Sequence, residues 1–214
     1  MMPAPSRDRN LHLFLAAMVG LVFVGSFIGC YDRLTWALEV FPVVIGAGIL
    51  LYFYGSFRFT PLVSWWMALH AVVLMVGGHY TYARVPFFDW IRDYFHLLRN
   101  DYDRLGHVMQ GLVPALIARE VLLRNKVVQN KRWLFFIVVC ICLAISAAYE
   151  LFEWRVAVAT GARADDFLGS QGDPWDTQWD MASALIGAVA SLLIFRRWHD
   201  RQLDSLPLSG EIRR

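Results

Sequence analysis

The stretch Trp133-Leu134-Phe135-Phe136-Ile137-Val138-Val139-Cys140-Ile141-Cys142-Leu143-Ala144-Ile145-Ser146-Ala147-Ala148-Tyr149-Glu150-Leu151-Phe152-Glu153-Trp154 decides the fold. It holds no charge before Glu150 and no Gly or Pro at all. As a helix at about 1.5 Å per residue it reaches roughly 33 Å. That is the thickness of a bilayer's hydrocarbon core, about 30 Å. It therefore reads as a membrane-crossing helix that ends in two carboxylates.

Five further apolar runs of similar length surround it. They cover about 11–30, 34–54, 61–80, 104–123 and 177–195. The second is blemished by Glu39 and Pro42, and the third opens on Pro61, a favourable first helical residue. The run at 104–123 is the most polar, with His107, Gln110, Arg119 and Glu120. Of the 214 residues, 57% are apolar and 18% charged. Mean hydropathy is +0.44. Soluble domains sit nearer a quarter charged. The expectation is an all-α, polytopic membrane helix bundle of about six spans, one domain over 1–214. A net charge of +2 argues against nucleic acid as a partner; the partner is the lipid bilayer. Three cysteines make no disulfide framework. Cys30, in Phe27-Ile28-Gly29-Cys30, loosely resembles a lipobox, but Phe27 and the spans that follow favour a retained first helix.

Basic residues set the orientation. Both termini and the second and fourth loops, with their flanks, carry thirteen Lys and Arg against seven on the other side. Both termini are then expected on the cytoplasmic side. The third loop then faces out. Its Phe87, Phe88, Ile91, Phe95 and Leu98 recur at helical spacing, opposite Asp89, Arg92, Asp93 and His96. This predicts an amphipathic helix in the outer interface, acting as a cap or a lid.

Three polar clusters fall at the same outer face: Asp103 to His107, Glu150 to Glu153, and Asp173 to Asp180. Ionisable groups at such depth are costly and need a partner or a purpose. Asp103 and His107 are four apart and share a helical face, which Gln110 extends. An Asp beside a His orients the imidazole and raises its basicity; Asp103 also suits a helix N-terminus. His107, Asp103 and Glu150 are the candidate catalytic residues. Arg104, Gln110, His79 and Gln178 are candidate ligand-binding groups, Arg104 for a phosphate. His79 also reads as an interfacial histidine.

Glu150 and Glu153 lie at a helix C-terminus, which disfavours negative charge. A metal ion, Arg104, Arg155 or a proton would each compensate them. Asp176 stands at an N-cap position; capping does not account for Asp180 one turn on. Asp165 and Asp166 read as solvated loop charges. Glu150, Glu153, Asp176 and Asp180 are the candidate ligands of a divalent cation. Oxygen-rich sites suit Mg, Ca or Mn, and an added His admits Zn or Fe. No established metal or nucleotide motif is present, so this expectation rests on charge compensation.

Four segments carry a family resemblance: Gly78-His79-Tyr80-Thr81-Tyr82-Ala83, Tyr102-Asp103-Arg104-Leu105-Gly106-His107, Tyr149-Glu150-Leu151-Phe152-Glu153-Trp154, and Gly172-Asp173 followed by Trp175-Asp176-Thr177-Gln178-Trp179-Asp180-Met181. In these the chain resembles the YjdF-like family of bacterial inner-membrane proteins. A looser likeness is to the VanZ-like membrane proteins, whose pattern has Lys, Gln and Asn where this chain has Arg104, Glu153 and Asp180. That likeness implies cell-envelope chemistry, such as handling of a lipid or an envelope-precursor head group. Two other functions stay open beside it: binding or transport of a small molecule or ion, and a structural role in which the acids and arginines form an ion-pair network.

Overall fold

The computed structural model describes residues 6–161 and 169–206. Eight helices make up the described fold: α1 (Ser6–Phe27), α2 (Arg33–Phe53), α3 (Pro61–Tyr80), α4 (Pro86–Phe95), α5 (Tyr102–Arg124), α6 (Lys131–Thr160), α7 (Asp176–Ile194) and α8 (Arg196–Asp204). No strand occurs among the described residues. Asp165 and Asp166, with Arg163, Arg213 and Arg214, lie outside them.

Local chemistry explains the helix starts. Asp32 caps α2 by accepting the Thr35 amide at 2.7 Å, and Asn130 caps α6 through the amides of Arg132 and Trp133. Pro61 and Pro86 open α3 and α4, where a missing N–H costs nothing. Five helices are long and apolar enough to cross a membrane: α1 from Arg9, α2, α3, α6 and α7. α5 is as long, with 23 residues, but much more polar. Its polar side chains are buried among neighbouring helices instead of facing outward, with Asp103, His107, Arg119 and Glu120 all at most 8% exposed. Tertiary burial thus resolves the polarity of the 104–123 run.

α5 is the hub. It packs against α3, α6 and α7, while α1 and α2 pack on α3. The α5–α7 contact is the most extensive. Small residues bring these two backbones together: a Cβ at Gly111 would strike the Ala184 carbonyl, and one at Gly187 would strike that of Val108. Ser191 Oγ donates to the Leu112 carbonyl at 3.0 Å. Such small-residue seams are the usual way helices approach closely where water gives no hydrophobic drive.

The turn after α3 is tight, with Thr81 and Tyr82 both at positive φ (55° and 52°). It folds the Tyr82 ring back between Gly77 of α3 and Gly106 of α5. A Cβ at Gly106 would lie 2.9 Å from that ring. Gly106→Ala is therefore expected to cost about 1–3 kcal/mol through overpacking, read as a lower melting temperature in detergent.

α4 forms where the amphipathic helix is expected, but its faces differ from the expected ones. Phe88 packs inward against Tyr102, and Asp89 accepts a hydrogen bond from buried Asn100 at 3.0 Å. The outward row is Phe87, Trp90 and Tyr94, stacked with centroids 5.9 and 5.6 Å apart. Aromatic rings of this kind settle at a membrane–water interface. The segment after Phe195, expected as a basic tail, is helical as α8 and buries His199 completely.

Candidate functional site

The first turns of α5 and α7 run side by side; the loop before α5 supplies Arg99 and α5 itself supplies Arg104. Arg99 binds Asp103 Oδ2 at 3.3 Å, the Asp176 carboxylate, and the carbonyl oxygens of Gly169 and Ser170. Gly169 has φ +61°, a conformation that favours glycine. Gln171 clamps this loop to Asn100 by two hydrogen bonds of 2.9 Å. Burial works to lower the Arg99 pKa, but the hydrogen bond and charge of Asp176, with the charges of Asp103 and Asp180, outweigh it and raise the pKa. The guanidinium is a permanent cation here.

Arg104 binds Asp180 Oδ1, Asp176 Oδ1 at 3.1 Å and Asp173 Oδ2 at 3.2 Å. Its guanidinium pairs with three carboxylates. Asp176 is no cap: α7 makes no side-chain capping bond, because two guanidinium groups hold that carboxylate. Asp173 instead accepts the Trp175 amide at 2.9 Å.

His107 lies one turn below. Its Nδ1 is 3.0 Å from Gln110 Oε1, so Nδ1–H donates to the amide oxygen. Its Nε2 faces Asp103 Oδ1 at 3.5 Å, Asp180 Oδ2 at 3.7 Å and Glu150 Oε1 at 3.9 Å. The Asp103–His107–Gln110 stripe is thus brought together with Glu150 and Asp180. The four residues expected as metal ligands do not converge as one set. Among the described residues, the compact group is Asp103, His107 and Asp180, whose ligand atoms lie within 4.8 Å of one another. Asp176 is taken by arginines, and Glu153 turns to a different place.

That place is a cavity of about 210 Å³ between α2, α3, α5 and α6. Glu39, His70, Tyr82, Asp103, His107, Gln110, Tyr149 and Glu153 line it, together with Pro42 and Pro114. The two prolines lack the amide that would engage the carbonyls of Leu38 and Gln110. Tyr149 donates to Glu39 Oε2 at 3.1 Å across α6 and α2. Burial, followed by the Glu39 charge, pushes the Tyr82 phenol well above its usual pKa, so it stays a neutral hydroxyl.

Two expected ligand-binding residues stand apart. His79 turns towards α1, where its Nδ1 is 2.8 Å from the Ser26 carbonyl, and Gln178 is exposed. In their place are Glu39, His70, Tyr149 and Arg99. Glu39 carried a signal, a carboxylate inside an apolar run. His70 carried none, being a lone histidine in the third span.

Fold and site define a multi-pass helical membrane protein with a buried ionisable cluster at one end of its bundle. The chain belongs to the family described as predicted membrane protein (DUF2238), whose model matches residues 11–201. It is 49% identical over 188 residues to the inner membrane protein YjdF of Escherichia coli (strain K12), covering 88% of this chain and 90% of that protein. No solved structure matches it.

Proposed function

We propose that the chain crosses the bacterial inner membrane six times, with α5 as the sixth span and both termini cytoplasmic, and that its cavity binds a lipid or envelope-precursor head group rich in amine or hydroxyl groups. The inner-membrane location of the E. coli relative and the distribution of Lys and Arg support the topology. One observation carries the ligand reading: the cavity is lined by carboxylates, imidazoles and phenols, with no Lys or Arg among its lining residues. Such a lining favours cations and hydroxyls over phosphate. α2 and α6 meet beside the cavity through the Phe41–Phe152 stack and the Tyr149–Glu39 hydrogen bond. Ile145 lines the cavity while 40% exposed. This seam supports lateral access from lipid. Gln110 orients the His107 ring, which lines the cavity beside the bound head group.

A one-sided site fits better than a transport path. Leu62, Val63, Met109, Leu112, Val113 and Leu116 form an apolar cluster on the far side of Gln110. From Gln110 to Glu120 along α5 is roughly 15 Å. Isothermal titration with soluble head-group analogues tests the reading. Ethanolamine or an amino sugar is expected to bind wild type and to bind Glu39→Gln at least tenfold more weakly; inorganic phosphate is expected not to bind. Phosphate binding that is lost in Arg104→Ala would overturn the proposal and assign Arg104 the phosphate.

A further inference from the structure

We infer that Asp103, His107, Glu150 and Asp180 form a site for one divalent transition-metal ion of the zinc or manganese type, at the end of the cavity nearest the first turns of α5 and α7. The inference deepens the reading above, because His107 and Asp103 also line the cavity.

The argument begins with the imidazole. With Nδ1–H given to Gln110, His107 turns Nε2 to three carboxylate oxygens, a place where a metal ion can stand in for a proton. The separations of 3.5, 3.7 and 3.9 Å are long for direct hydrogen bonds. Ligands about 2.1 Å from a tetrahedral metal stand about 3.4 Å from each other. The distances from Nε2 approach that edge length; Asp103, His107 and Asp180 form the compact group, with ligand atoms within 4.8 Å of one another, and Glu150 joins it from α6.

The arginines complete the pattern. Asp103 gives Oδ2 to Arg99 and turns Oδ1 to His107. Asp180 gives Oδ1 to Arg104 and turns Oδ2 to His107. Each carboxylate is thus held by one oxygen and offers the other, the outer-shell support typical of metal ligands. A second, independent observation comes from α6. The Glu150 side chain is 7% exposed, and its Oε1, the oxygen facing His107, is buried without a hydrogen-bond partner. Such an atom is costly unless something binds it. One nitrogen with three oxygens disfavours Mg and Ca, which take all-oxygen shells, and suits Zn or Mn.

The test uses the full chain in detergent, with metal content measured on the protein as purified and metal titration after chelator treatment. One zinc or manganese per chain is expected, with a rise of several degrees in melting temperature when ZnCl2 or MnCl2 is returned and none with MgCl2. His107→Ala and the near-isosteric Glu150→Gln are both expected to bind at least tenfold more weakly. Gln110→Ala, which touches the ring and not the ion, is expected to lose about 10- to 100-fold in affinity while keeping the stoichiometry. If His107→Ala does not fold, Glu150→Gln carries the decision. Wild type that takes up neither metal, or variants that bind as wild type does, would overturn the inference. Head-group binding by a protein that takes up no metal would overturn it and leave the proposed function standing.

Discussion

Glu120→Ala is expected to lower stability by about 3–5 kcal/mol, the cost of leaving a buried ionic cluster without one partner. The carboxylate is fully buried and serves three parts of the fold. It accepts the Thr60 amide at 3.0 Å and the Thr60 hydroxyl at 2.7 Å, where α3 begins. It lies 3.0 Å from His199 Nε2 on α8 and accepts from Arg124 Nη1 at 2.8 Å. α3 lacks a side-chain cap of its own, so Glu120 does that work from another helix. Alanine would strand an amide, a hydroxyl and an imidazole together, and leave Arg124 with the Arg58 carbonyl but no carboxylate. Glu120→Gln keeps one acceptor oxygen and is expected to fall between the two. Thermal or denaturant unfolding in detergent micelles gives the comparison. An alanine variant within about 1 kcal/mol of wild type would show that water already reaches the cluster, contrary to its burial.

This cluster also shows where the sequence stops being legible. Arg119 and Glu120 mark the 104–123 run as unusual, yet their partners, Thr60, His199 and Asp200, are 60 to 81 positions away. Helical spacing links residues three or four apart and says nothing of such pairs. α8 is hidden for the same reason. Arg196-Arg197-Trp198-His199-Asp200-Arg201 reads only as a basic tail until Glu120 binds His199, Arg119 binds Asp200 and Gln202 accepts the Leu62 amide.

At the other end, local spacing did reach part of the site. Asp103, His107 and Gln110 stand on one face of α5 as their offsets require. The apolar runs located every long helix to within a few residues, except that α6 continues to Thr160. What spacing cannot supply is the choice among partners. Arg104 pairs with carboxylates because α7 and the loop before it place three of them around it. Glu39 and His70 joined the cavity because α2 and α3 pack together against the rest of the bundle, a fact of packing and not of pattern.

Gly187→Leu is expected to abolish the folded bundle, and the reason ties the α5–α7 seam to the site. At Gly187 any Cβ meets backbone, the Val108 carbonyl and the Leu112 amide, and backbone has no alternative rotamer to adopt. Ala184, Ala188 and Ser191 are fully buried on the same side of α7. The helices must therefore separate. Gly187→Ala already forces a shift, at about 1–3 kcal/mol; leucine adds three more carbons and exceeds that. Separation does not stay local. His107 is one turn before Gly111 on α5, and Asp180 is one turn before Ala184 on α7, so the residues that hold His107 Nε2 3.7 Å from Asp180 are the seam itself. Gly187→Ala should accordingly weaken metal or ligand binding at His107 even when most of the protein remains folded. Gly46 of α2 is the contrasting case: no atom lies within 4 Å of a Cβ built there. Gly46→Ala is expected to be neutral, or stabilising by up to about 1 kcal/mol, from helix propensity alone. Equal melting temperatures for Gly187→Ala and Gly46→Ala in the same detergent would show that the two helices are not in backbone contact, and the close approach that aligns His107 with Asp180 would go with it.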